Sequence, residues 1–239
     1  MRVFCIPYAG GSEDVFDGWP EHLAPVAEVR AALLPGRGAR FGEPLLDAMP
    51  ALVEELARQV GDADGEPLVL LGHSFGALAA HALALHLEAS GRAVARLVVS
   101  GSRAPFLPPQ LPLLHTMSDA ELTARVGDLG GTDPEVLAHR DLMAMFLPIL
   151  RADFRIVETY APGRVRLACP MTVMGGRHDA IVPIPDLEQW RAVSRGETVL
   201  RLYEGDHFFI DSQKPRVARA VRADLVRDPM ASAGDRPAA

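Results

Sequence analysis

The sequence predicts an α/β fold in which a mostly parallel sheet is covered by helices on both faces and interrupted by one helical insertion. Three observations carry this prediction. Short β-type runs are apolar throughout rather than alternating, helix-type runs separate them, and one long stretch breaks the alternation. Strands that are apolar on both faces belong to a buried parallel sheet, because the helices that return the chain cover both sides.

The candidate strands are VFCIP (3–7), VAEVRAALLP (26–35), PLVLLG (67–72), RLVVSG (96–101), CPMTVMG (169–175) and ETVLRLYEG (197–205). Helical patterns follow at 45–60, after Ser74, at 186–195 and at 214–228. From Arg103 to Pro162 only helical pattern is present. Ser118-Asp119-Ala120-Glu121 and Thr132-Asp133-Pro134-Glu135 both read as capping boxes that open helices. A structureless loop of that length is improbable in a compact domain, so 103–162 is expected to be a helical lid. The core is then 1–102 together with 163–228. The small polar run 229–239 is expected to be a disordered tail.

With 239 residues, 49% hydrophobic and 23% charged, the chain is of a size and composition to bury one full core. A net charge of −7 with no basic stripe argues against nucleic acid, and no apolar run is long enough to span a bilayer. The N-terminal apolar segment is too short for a secretory signal. Cys5 and Cys169 lie in strand-like runs and are expected to be buried free thiols, so a cytoplasmic location is expected. Lys214 is the only lysine, and the many arginines carry little individual weight.

The chemistry centres on Gly72-His73-Ser74-Phe75-Gly76, a G-x-S-x-G placed where a strand turns into a helix. Glycines flank the serine because a sharp strand-to-helix turn leaves no room for side chains, and the turn lifts the hydroxyl clear. Ser74 is therefore expected to be a nucleophile rather than a turn serine. A serine needs a base, and the base an acid, and on such a sheet both follow the serine in loops at strand ends. Gly175-Gly176-Arg177-His178-Asp179 and Asp206-His207-Phe208-Phe209 are the two loops that qualify. Asp179 is expected to be the acid and His207 the base. His178 is the only rival base, Asp206 is disfavoured because sequence neighbours diverge, and Asp211 reads as a helix cap. The oxyanion would be received by the backbone N–H of Phe75 and, from the glycine-rich loop after the first strand, by that of Ala9. No metal and no organic cofactor is required.

These motifs resemble a known family. IPYAGGS (6–12), LPGRGARFGEP (34–44), GHSFGALAA (72–80), PILRADFRIVETY (148–160), GGRHD (175–179) and EGDHFFI (204–210) are similar, in order and spacing, to those of type II thioesterases. These are the free-standing editing hydrolases of polyketide and nonribosomal peptide assembly lines. The resemblance implies an α/β-hydrolase fold with a helical lid, and it places nucleophile, acid and base on Ser74, Asp179 and His207 and oxyanion donors on Ala9 and Phe75. It also implies an acyl or peptidyl carrier protein as partner, a monomeric enzyme and no cofactor. Members of the family carry a further stretch before the first motif, so an outer strand or an upstream start is expected. Asp206 replaces a common glycine and Ala180 a common proline. The alternative is a small-molecule carboxylesterase with the same triad. Arg37, Arg40 and Arg103, with Arg151 and Arg155 of the lid and Arg164 just beyond it, are candidates for a local basic mouth that receives the carrier, in competition with local ion pairs.

Overall fold

In the computed structural model, which describes residues 1–61 and 65–227, six strands form one sheet. The chain begins with β1 (Arg2–Ile6), followed by the short helix α1 (Trp19–Leu23), β2 (Glu28–Ala31), α2 (Met49–Val60) and β3 (Leu68–His73). After α3 (Phe75–Ala89) and β4 (Arg96–Ser100) come α4 (Asp119–Leu129), α5 (Pro134–Ala138) and α6 (Arg140–Thr159). The order then resumes with β5 (Met171–Gly176), α7 (Ile184–Glu188), β6 (Thr198–Tyr203), α8 (Phe209–Ser212) and α9 (Lys214–Arg227). The expected tail, 229–239, lies outside the described residues.

The sheet order is β2-β1-β3-β4-β5-β6 and every pairing is parallel. Strand period divides the core into two layers. Phe4, Ile6, Leu68, Leu70, Leu97 and Val173 face the side covered by α2 and α3. Val3, Cys5, Val69, Leu71, Val98 and Met174 face Trp19, Leu23 and the Val217, Val221 and Leu225 stripe of α9. Both cysteines are buried and free. Among the described residues no helix is long and apolar enough to cross a membrane.

Several boundaries are narrower than the sequence pattern suggests. Run 26–35 is a strand only at Glu28–Ala31, and it stops there because the next residue after its partner β1 is Pro7, which has no N–H to continue the ladder. As an edge strand β2 shows Glu28 and Arg30 to solvent, which discourages pairing with another chain. Helix α2 starts at Met49 rather than at 45, with Pro50 in its first turn where a missing N–H costs nothing. The 186–195 run begins earlier, at Ile184, and tightens to a 3₁₀ helix over Gln189–Val193.

Between 103 and 162 there is no strand among the described residues. A 3₁₀ turn (Leu114–Thr116) precedes α4, α5 and α6, and these pack around a small cluster of their own made by Leu122, Val126, Met143, Leu147 and Leu150. Ser118 forms the expected capping box, its N–H donating to Glu121 Oε2 (2.9 Å) while Glu121 N–H donates to its Oγ. Thr132 does not cap α5. Pro134 occupies the first turn and shifts the start, so Asp133 is the cap and accepts from Glu135 N–H (2.8 Å).

Candidate active site

Ser74 sits between β3 and α3 at φ 54°, ψ −114°, the only non-glycine with positive φ among the described residues. Such a backbone costs on the order of 1–3 kcal/mol and persists only where its surroundings hold it. Ser74 N–H donates to Ser100 O (2.8 Å), which ties the turn to β4. The flanking glycines are sterically required. A Cβ on Gly72 would lie 1.9 Å from the carbonyl oxygen of Gly76, and one on Gly76 would lie 2.1 Å from that of Ile6. Both obstacles are backbone, which cannot swing aside.

His207 follows β6 and Asp179 follows β5, and the two loops are joined. His178 N–H donates to Gly205 O (3.0 Å), and Gly176 lets the chain at Asp206 pass where a Cβ would lie 2.2 Å from its carbonyl. This packing brings the predicted groups into a chain of hydrogen bonds. His207 Nε2 lies 3.1 Å from Ser74 Oγ, and His207 Nδ1 lies 2.8 Å from Asp179 Oδ2. The Asp179 carboxylate is fully buried, and its other oxygen accepts from Ile181 N–H (2.8 Å) and Val182 N–H (3.0 Å). A buried carboxylate with three donors is held rigidly, and it holds the imidazole with its Nδ1 protonated. Nε2 is then free to take a proton from the serine hydroxyl.

The rivals lie elsewhere. His178 is exposed, and Asp206 is exposed with its carboxylate accepting from Phe208 N–H (2.9 Å). Asp211 is not a cap. It lies within α8 and accepts from the Tyr8 hydroxyl (3.4 Å), and burial raises its pKa above the usual carboxylate value. His73, to which the sequence pattern assigned nothing, is buried beneath the site with its ring 5.1 Å from that of His207 and its Nδ1 2.8 Å from Ser100 Oγ. Desolvation, and then the neighbouring His207, hold it well below the ordinary histidine pKa, so no second positive charge competes with an imidazolium at His207.

Ala9 and Phe75 line the same chamber beside Ser74, and among the described residues neither N–H is hydrogen-bonded within the protein. Phe75 is the first residue of α3, whose initial N–H groups have no partners inside the helix and carry its positive dipole end. The chamber has a volume of about 1240 Å³, more than a typical small-ligand cleft. Its walls come from the strand-end loops and from the 103–162 segment, including Leu107, Met145, Phe146 and Val157.

The expected basic mouth is not formed. Arg37 pairs with Asp153, Arg40 with Glu43 and Glu55, Arg103 with Asp186, Arg151 with Asp119, and Arg155 with Asp47. Arg164 lies over the Phe106 ring at 4.5 Å. Five of the six are thus balanced by a carboxylate close at hand, and local pairing accounts for them. Sequence reasoning also missed Asp153. Its signal was present: an acid on α6 in line with Phe146, Leu150 and Val157, a face otherwise apolar.

The sheet order, the strained serine turn and the histidine and acid loops define an α/β-hydrolase fold. Comparison with known proteins then names the family. Residues 1–225 match the thioesterase domain, and the chain belongs to the thioesterase family. It is 37% identical over 234 residues to the thioesterase PikA5 of Streptomyces venezuelae, covering 95% of this chain and 81% of that protein. It is 34% identical over 229 residues to a probable cadicidin biosynthesis thioesterase of Streptomyces griseus, covering 94% of this chain but only 63% of that relative's length. Among solved structures, YbtT, a type II thioesterase from the yersiniabactin NRPS/PKS biosynthetic pathway, superposes with a TM-score of 0.84 at 32% identity, covering 96% of this chain and 93% of that one.

Proposed function

We propose that the protein is a type II thioesterase that hydrolyses acyl groups from the phosphopantetheine arm of carrier proteins, clearing aberrant or stalled chains from an assembly line. The observation that carries this reading is the unbroken contact from Ser74 Oγ through His207 to Asp179, opening into a chamber large enough for an acyl thioester. Its similarity to biosynthetic thioesterases supports the substrate class.

In this mechanism His207 Nε2 takes the Ser74 hydroxyl proton as Oγ attacks the thioester carbonyl. The N–H groups of Ala9 and Phe75 receive the oxyanion, and Asp179 stabilises the imidazolium. The intermediate collapses to an acyl-serine as His207 protonates the leaving pantetheine sulfur. Water, deprotonated by the same nitrogen, then releases the acid and restores the serine. Segment 103–162 acts as the lid that keeps the acyl chain from bulk solvent. The enzyme works as a monomer in the cytoplasm, where buried Cys5 and Cys169 stay reduced.

A fluorophosphonate probe tests the assignment: one adduct is expected on Ser74, with neither labelling nor thioester hydrolysis in Ser74→Ala. Labelling at another serine, or turnover by the variant, overturns it. Matched acyl groups presented on a carrier protein and as oxygen esters decide the substrate class. Preference for the oxygen ester makes the protein a carboxylesterase.

A further inference from the structure

Residues Tyr8 to Gly11 form a tight turn, closed by Gly11 N–H donating to Tyr8 O (2.9 Å). Gly10 stands third in the turn at φ +77°, where a type II turn demands a glycine. Such a turn leaves the N–H groups of its two central residues without partners inside it. Here they are treated differently. The N–H of Ala9 is hydrogen-bonded to nothing among the described residues, whereas that of Gly10 donates to Asp153 Oδ2 at 2.8 Å in a buried contact.

Asp153 belongs to α6, and its side chain is 2% exposed. On the same helix face lie Leu150 and Phe146, so close to Gly10 that a Cβ there would come within 2.8 and 3.1 Å of them. A lone buried carboxylate would be costly, and Arg37, from the loop after β2, makes it tolerable. Its two terminal nitrogens reach Oδ2 (2.5 Å) and Oδ1 (2.8 Å). Three segments distant in sequence therefore meet at one carboxylate, one residue away from the proposed oxyanion donor.

We propose that Asp153, supported by Arg37, is a positioning residue for hydrolysis, fixing the Ala9–Gly10 peptide so that the Ala9 N–H stays where the oxyanion forms. This rests on the assignment of Ala9 as an oxyanion donor. Without an acceptor, the buried Gly10 N–H must find another partner, and the turn moves with it. Displacement of a donor by an ångström is enough to cost about 10²-fold in rate.

Two double variants separate positioning from packing. Arg37→Met/Asp153→Leu removes both charges and the acceptor, and buried ion pairs exchanged for apolar groups generally keep their fold. Arg37→Met/Asp153→Asn also removes both charges but keeps an oxygen for Gly10 N–H. The leucine variant is expected to lose roughly 10²-fold in kcat with KM little changed. A trifluoromethyl ketone analogue, whose hemiketal oxyanion with Ser74 needs the same donors, should weaken in parallel, while a thioether analogue that lacks the carbonyl should bind as before. The asparagine variant should recover most of kcat and of the ketone's affinity. Wild-type kcat in the leucine variant, or equal losses in both variants, overturns the proposal. Should the leucine variant fail to fold, Arg37→Met/Asp153→Ala takes its place against the asparagine variant: a larger loss confined to kcat and ketone affinity supports the role, and wild-type values or losses equal to those of the asparagine variant refute it. Ser74 labelling in the wild type is scored separately, so failure of the serine assignment is told apart from failure of this one.

Discussion

Replacing Asp179 by asparagine changes one atom in a site whose geometry dictates the consequence. Oδ1 of Asp179 accepts from Ile181 and Val182 N–H, so an asparagine at this position keeps its oxygen there. Its NH₂ must then take the place of Oδ2, 2.8 Å from His207 Nδ1. An amide nitrogen donates only, so the ring is driven to carry its proton on Nε2, where it faces Ser74 Oγ at 3.1 Å as a donor. In the proposed mechanism the base is then in the wrong tautomer, and the imidazolium has lost its counter-charge. The same substitution in a serine protease costs about 10⁴-fold, or about 5 kcal/mol of transition-state stabilisation, and a loss of that order in kcat is expected. Thiol release from an acyl-N-acetylcysteamine, followed with a chromogenic thiol reagent, measures it. Asp206→Asn is the control: its carboxylate is exposed and occupied by Phe208 N–H, so only a few-fold effect is expected. If Asp179→Asn loses less than about tenfold, or Asp206→Asn is the more damaging change, the tautomer reasoning fails and Asp179 is not the orienting acid.

Two further outcomes are expected. His81 is buried on α3 against Tyr160 and Trp190, and burial lowers its pKa from 6.5 to about 4. A depressed histidine pKa means that the unfolded chain binds the extra proton between pH 6.5 and about 4, so stability is full above 6.5 and falls through that window. The fall approaches about 1.4 kcal/mol per pH unit for this group. Denaturant melts across the window should therefore show a shallower acid slope in His81→Leu than in the wild type, and equal slopes would count against it. The second concerns the carrier. Because Arg37, Arg40, Arg103, Arg151 and Arg155 are already paired with carboxylates, electrostatic attraction of these side chains to an acidic carrier has little free charge to act through. Any preference in kcat/KM for carrier-bound over N-acetylcysteamine-bound acyl groups should survive salt that shortens the screening length to about 8 Å. A preference that collapses with salt would show that these pairs open to receive the partner.

How much was legible in the chain depends on whether a feature is local. The strand and helix order could be read because apolar runs and helical periodicity are written in consecutive residues, and so could the serine turn, whose glycines answer a backbone constraint within five positions. Asp179 and His207 could be singled out because in a parallel sheet every strand points the same way, so strand-end loops must share one edge. Boundaries were less accessible, since β2 stops where Pro7 leaves its partner without an N–H, a fact about a neighbouring strand. The cap of α5 moved from Thr132 to Asp133 once Pro134 took the first turn, and Asp211 turned from cap to partner of Tyr8.

What the sequence by itself determined is the α/β class, the position of the serine turn and the edge of the sheet where the other groups gather, all consequences of period and backbone sterics. What only the tertiary structure decided is who pairs with whom. Arg37 and Asp153 are separated by 116 positions, and nothing in either neighbourhood says that they meet or that Gly10 joins them. A charged side chain reads as solvated until the fold removes the water and makes a partner obligatory, and that desolvation is a property of the packed chain alone.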